Sequence, residues 1–303
     1  MKVFGISIVR NEVDIVGLNV LHHLSLGLDE MLIVDNGSSD GTDRLLQQLG
    51  TDGRIKWSKD AGAYRQPEIF TELARESYRR GADWVLPIDA DEFWDTPNEG
   101  LRAVLERSRA AALRVQIVNF IQRRAQRNRS PSALMHMTRR APQPKGPVER
   151  CQELVESRQI AYVEMMYPPK WVSRACATSE IRAGNHLVCG IEGSYEDTDE
   201  IVCLHAPLRA QSILDEKADT GRRADEAGYP PGEMWHLRRW RNLRDKGGLA
   251  AEWLANSYAR DHIDVYGAQR PLVFDSRLRD IALRWIRPSF WGMLVELAVM
   301  RWR

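Results

Sequence analysis

An apolar run that ends in acids, Trp84-Val-Leu-Pro-Ile-Asp89-Ala-Asp91-Glu92-Phe93-Trp94, limits the architecture more than any other stretch of the chain. A strand over Asp83–Ile88 delivers Asp89 and Asp91 to its carboxyl end, where open α/β sheets place their ligands. Two hard carboxylates there suit Mg²⁺ or Mn²⁺, whose remaining ligands are usually phosphate oxygens. The spacing alone is unspecific, because about one Asp-x-Asp pattern arises by chance in a chain this long. A second copy, Asp197-Thr198-Asp199, has no apolar run leading into it and reads as a solvated turn.

The preceding residues supply the sheet that such a strand needs. Val3–Val9 is apolar and β-rich, Val13–Leu26 has helical spacing with Gly27 as its stop, and Met31–Val34 is a second short strand. A turn cluster at Asp35–Thr42 leads to a helix from about Asp43 to Leu49, and a strand follows at Arg54–Trp57. Pro67 suits the first turn of a helix that runs to Arg80. Strands alternating with helices predict a Rossmann-like α/β fold, a mostly parallel sheet with helices on both faces. A helix near Glu99–Arg107 and a strand at Leu113–Phe120 continue the pattern. Further β-like runs are expected at Ala161–Met166, His186–Ile191 and Ile201–His205, and a helical region rich in Arg and Trp after Ser212.

Composition narrows the class without naming it. Over 303 residues, 43% hydrophobic and 28% charged content describes an ordinary globular chain, and a net charge of +1 gives no general pull toward nucleic acid. The four cysteines are scattered without CxxC spacing, which points to free thiols in a reducing cytoplasm. The N-terminus reaches Arg10-Asn11-Glu12 too soon for a signal peptide, and no run is long enough to span a membrane. Charge is uneven, however. Residues 121–150 hold eight basic groups, one acid and four prolines, and read as a long basic loop suited either to an anionic acceptor or to plain solvation.

Three motifs in order, Ile6-Ser-Ile-Val-Arg10-Asn11-Glu12, Ile33-Val-Asp35-Asn36-Gly-Ser-Ser-Asp40-Gly-Thr42 and Ile88-Asp89-Ala-Asp91-Glu92-Phe93, resemble the GT-A glycosyltransferases of family 2. The likeness extends more weakly to about residue 220 through Lys170-Trp171, Gly184-Asn185-His186, His205-Ala-Pro-Leu-Arg209 and Lys217. It implies a GT-A catalytic domain over 1–210, with a nucleotide half at 1–95 and an acceptor half at 96–210, plus a helical C-terminal region over 211–303. The activity implied is transfer of a sugar, with inversion, from a nucleotide-sugar donor such as a UDP-sugar to a glycan or lipid-linked acceptor. The nucleotide would meet Arg10, Asn11, Glu12, Asp35, Asn36 and Asp89. A Mn²⁺ or Mg²⁺ ion would be held by Asp91, with Asp89 sharing it or holding ribose, and with His205 completing the set.

Several assignments stay open at this level. Asp35 and Asn36 end a strand with groups able to read a base edge or a ribose hydroxyl. Ser39, Asp40 and Thr42 read better as a turn and helix cap. If 186–191 and 201–205 form a hairpin with Ile191 opposite Glu200, His186 falls opposite His205. His186 would then serve the acceptor or act as base, whereas His22 and His23 read as structural. The general base is unassigned among Glu153, Glu156, Glu164 and Glu180. Lys170, Arg209 and Lys217 are candidates for phosphate or acceptor contact. The segment Leu283–Arg303 has the Trp and Arg flanks of an interfacial helix, suited to a peripheral position at the inner face of a membrane. A nucleotidyltransferase, or a non-catalytic nucleotide- or glycan-binding protein, are the alternatives; the former should carry a Gly-rich phosphate loop where Ile8-Val-Arg-Asn-Glu12 stands.

Overall fold

The computed structural model describes residues 1–230, 232 and 234–286. The N-terminal third folds as its periodicity predicts. β1 (Val3–Val9), α1 (Val16–Ser25), β2 (Glu30–Asp35), α2 (Thr42–Leu49), β3 (Ile55–Lys59), α3 (Gln66–Arg79) and β4 (Trp84–Pro87) alternate along the chain. β5 (Glu92–Asp95), α4 (Leu101–Arg107) and β6 (Ala112–Asn119) follow. β1 and β4 are buried almost throughout, as expected of strands covered on both faces.

The main sheet has eight strands in the order β3-β2-β1-β4, then Lys170–Arg174, β6, Tyr195–His205 and β5. β1 pairs in parallel with β2 and with β4, and β2 in parallel with β3. Lys170–Arg174 runs antiparallel to β4 and β6, so the sheet is mixed. The chain adds β2 and β3 on one side of β1 and then returns to place β4 on the other. The order therefore reverses between β1 and β4, and a crevice outside the carboxyl ends of strands is expected at such a reversal.

Two compact units result. Among the described residues, one comprises Met1–Gln116, Pro169–Cys203 and 284–286, and the other comprises Ile117–Pro168 and those of Leu204–Leu283. This differs from the expected division at 210. The basic stretch 121–150 is not a free loop, because its backbone pairs with residues much later in the chain. Gln122–Arg123 pairs with Ser257–Tyr258, and Arg139–Arg140 with Val273–Phe274. The region after 211 is consequently not all helical: helices at Ile213–Glu226, Trp235–Asp245 and Leu249–Ala255 are followed by short strands at 257–274. A single-sequence reading sees the prolines but not the distant strands that satisfy the backbone around them.

Three smaller expectations are also corrected. The presumed hairpin does not form, since Val188–Cys189 pairs with Glu180–Ile181 while Tyr195–His205 joins the main sheet. The opposition of His186 and His205 lapses with it. Asp197-Thr198-Asp199 lies on a strand rather than a turn, although Asp197 is exposed and paired with Arg114. Ala161–Met166 contains a 3₁₀ turn at Tyr162–Glu164 instead of a strand. The proposed interfacial helix lies mostly outside the described residues. Among those described, no helix is long and apolar enough to cross a membrane.

Candidate nucleotide and acid site

Register brings the three sequence motifs to one edge of the first unit. Val9 is level with Asp35 on neighbouring strands, and Ile6 is level with Pro87. Arg10–Glu12, Asp35–Asn36 and Asp89–Asp91 therefore leave the carboxyl ends of three adjacent parallel strands, spanning the point of reversal.

The loop after β1 and the loop after β2 are laced together. Asn11 has φ +54°, a left-handed conformation that Asn tolerates better than most residues. Its backbone N–H donates to Ser38 Oγ (2.9 Å), and its Oδ1 accepts from the Ser39 N–H (2.9 Å). The Glu12 N–H donates to Thr42 Oγ1 (2.8 Å), and Asp40 accepts from the Val13 and Thr42 N–H groups. Asn36 Nδ2 donates to the Asp60 carbonyl (2.7 Å). Asn11 and Asn36 thus brace the loops, and Asp40 makes the turn read from the sequence, while the N-cap of α2 is Gly41, which has no side chain to cap with.

Asp35 differs from its neighbours. It is fully buried, and its Oδ1 accepts from the Ser38 N–H (3.1 Å) and from Ser38 Oγ. Its Oδ2 is buried and has no hydrogen-bond partner among the described residues, where the nearest cation is Lys59 Nζ at 4.0 Å. A buried carboxylate oxygen in this state is an acceptor awaiting a donor, since leaving it unmatched is destabilising. Arg10, half-buried at the end of β1, likewise has an Nε without a partner among the described residues.

The acidic turn after β4 is wired differently. Lys170 Nζ, only 2% exposed, donates to Asp89 Oδ2 (2.7 Å) and to the Gly184 carbonyl (2.7 Å), and lies 2.8 Å from Glu92 Oε1. Burial alone would lower the Lys170 pKa, but the two carboxylates outweigh it and raise it, so the ammonium form is held. Asn185, which is buried with φ +59°, donates from Nδ2 to Asp89 Oδ1 (3.0 Å). Below the turn, Asn19 Nδ2 of α1 reaches the carbonyls of Ala90 (3.2 Å) and Glu92 (2.6 Å). The Trp94 N–H donates to His23 Nε2 (3.2 Å), which leaves Nδ1 protonated and donating to the Asn19 carbonyl (2.8 Å). His22 Nε2 donates to the Trp94 carbonyl (2.6 Å). His22 and His23 are structural, as read, and burial holds both below the usual histidine pKa.

Lys170 directs its three protons to Asp89, Glu92 and the Gly184 carbonyl, and each Asp89 oxygen accepts one hydrogen bond, so both side chains are held in place within the acidic turn. Among the described residues, no group of three or more His, Cys, Asp or Glu side chains is gathered to hold a metal ion. The donor set still fits an ion held through Asp91, half-buried on the same turn, with phosphate oxygens as the remaining ligands; Mg²⁺ commonly binds in this way. Asn185 and Asn19 were not picked out as site residues. The sequence signal for Asn185 is the Gly-Asn dipeptide, whose two residues tolerate the positive φ that both adopt.

The other candidates have surroundings of their own. His186 Nδ1 is 3.2 Å from the Pro169 carbonyl, and the Trp171 indole donates to the His186 carbonyl (2.9 Å). In the second unit, His205 Nδ1 is 2.9 Å from Asn119 Oδ1, and its ring meets Tyr167 edge-on at 5.0 Å. Arg209 there is 1% exposed, and Lys217 is half-buried on the helix Ile213–Glu226. The four glutamates considered as base are engaged as follows: Glu153 with Arg150, Glu156 with Gln152, Glu164 with Lys145, and Glu180 with Arg182.

No protein-family model and no curated protein matches this chain. Among solved structures, S. aureus TarS 1-349 in complex with UDP is similar over 81% of this chain and 72% of that chain, at 11% identity and a TM-score of 0.42. The same protein in complex with UDP-GlcNAc matches over 84% of this chain and 72% of that chain, at 12% identity and a TM-score of 0.40. A putative glucose-1-phosphate thymidylyltransferase from Bacillus anthracis is similar over 41% of this chain and 60% of that one, at 11% identity and a TM-score of 0.30.

Proposed function

We propose that this chain is a GT-A-type glycosyltransferase that moves a sugar from a UDP-linked donor to a hydroxyl of a glycan or lipid-linked acceptor. The observation that carries this reading is Asp35, a fully buried carboxylate with one unmatched oxygen at the strand-order reversal. Uracil offers an imide N–H that satisfies such an oxygen, and a charge-assisted bond of this kind is strong in a buried setting. Arg10 lies at the same edge, with a donor to spare for the nucleotide. Asp89, held by Lys170 and Asn185, fixes the acidic turn so that Asp91 faces a constant geometry. A Mg²⁺ or Mn²⁺ ion, when bound, would neutralise charge on the departing diphosphate, and Asp91 is the residue that would hold it. Inversion at the sugar carbon follows from the family likeness, which leaves the base unassigned among Glu153, Glu156, Glu164 and Glu180.

Calorimetric titration with UDP, ADP and a panel of UDP-sugars tests the reading. UDP is expected to bind in preference to ADP, and Asp35→Asn to weaken UDP binding by about tenfold to a hundredfold. Release of free sugar from one UDP-sugar should accompany binding. Equal affinity of wild type and Asp35→Asn for UDP would remove Asp35 from the site, and the absence of any bound nucleotide would end the proposal. Formation of a nucleoside diphosphate sugar from sugar phosphate and UTP would instead establish a nucleotidyltransferase.

A further inference from the structure

The second unit has a cavity of about 360 Å³, inside the range of small-molecule sites, between the 152–158 stretch and the helix Trp235–Asp245. We propose that it binds a phosphorylated saccharide. Its charge is the first reason. Arg158, Arg239 and Lys246 line it, with Glu156 as the acid among its lining residues. Arg238 also lines it, but is paired with Asp225.

The second reason is the state of Arg239, which is 9% exposed. Its Nη2 donates to Glu252 Oε2 (2.9 Å). Glu252 is already well supplied, since it accepts from Tyr266 Oη (2.8 Å) and Asn256 Nδ2 (2.9 Å) as well. Arg239 Nε and Nη1 are buried and have no partner among the described residues. The guanidinium is also held by a longer bond to Tyr266 Oη (3.4 Å) and lies over the Trp240 ring (5.5 Å to its centroid), so a cation with donors to spare is fixed in the cavity wall, and phosphate is an anion whose oxygens suit it.

The third reason is the rest of the lining. Trp235, held edge-on against Tyr162 (ring centroids 6.4 Å apart), presents an aromatic surface of the kind that packs on the C–H face of a sugar ring. The amides of Gln152 and Asn242 are donors and acceptors suited to ring hydroxyls. A bare phosphate would use the cations but neither Trp235 nor the amides. The inference stands on the second unit alone and does not require the UDP reading of Asp35.

The test is calorimetric titration of the full chain with glucose 6-phosphate, inorganic phosphate and glucose. Glucose 6-phosphate is expected to bind most tightly. Lys246→Ala and Trp235→Ala should each weaken it by about tenfold, while Asp35→Asn, at the nucleotide site of the first unit, should leave it unchanged. Lys246 is exposed, so its variant does not threaten the fold. Loss of binding in Asp35→Asn with retention in Lys246→Ala would assign the ligand to the first unit and overturn the proposal. So would the absence of binding. Inorganic phosphate binding as tightly as the sugar phosphate would overturn the saccharide assignment.

Discussion

Each unit contains a buried cation beside a buried carboxylate, and the two clusters are completed in opposite ways. In the first unit, Lys170 places its protons on Asp89, Glu92 and the Gly184 carbonyl, so the cation is saturated. In the second, the carboxylate of Glu252 accepts from Arg239, Tyr266 and Asn256, while the cation retains donors unmatched among the described residues. A closed cluster positions its neighbours. An open one, like the lone oxygen of Asp35, is a place for a ligand. Hydrogen-bond accounting therefore separates framework from binding groups where residue type does not.

The comparison breaks most directly at Lys170. Lys170→Met leaves Asp89 and Glu92 facing each other without their cation and is expected to lower the unfolding free energy by about 3–5 kcal/mol, read from urea denaturation. A loss under 1 kcal/mol would show that the cluster is not closed as described. Arg239→Met should be milder, about 2 kcal/mol, because Glu252 keeps two other donors. A larger loss there than at Lys170 would reverse the contrast.

A smaller effect sharpens the account of the acidic turn. His22 and His23 are held neutral by burial, with pKa values below 6.5. The unfolded chain takes up protons below about pH 6.5 that the folded chain does not, so stability is full above that pH and falls as pH drops through the window down to the folded values. Denaturation midpoints should decline between pH 7 and 5, and a double His22→Gln, His23→Gln variant should be flatter over that range, though less stable at pH 7. An unchanged slope would place the titration elsewhere.

The alternation of β1 to β4 with three helices was legible because each strand is an unbroken apolar run and each helix has its own stop signal. The acids at the end of β4 were legible for the same reason. The 121–150 stretch was not, because its strands are two residues long and are stabilised by partners more than a hundred residues away. The hairpin of 186–205 failed because each segment found another partner, Glu180–Ile181 for Val188–Cys189 and the main sheet for Tyr195–His205, and local composition does not specify partners.

By itself, then, the sequence determined which chemistry-bearing residues arrive at the strand ends, since local periodicity decides where a strand stops. Only the tertiary structure decided what each of them is free to do. Asp35 and Asp89 are the same residue type at the ends of two parallel strands, yet one keeps an unmatched buried oxygen and the other is held at both oxygens by Lys170 and Asn185, which lie 81 and 96 residues further along the chain. Whether a buried polar atom is satisfied depends on partners brought in by the fold, and no local pattern encodes them.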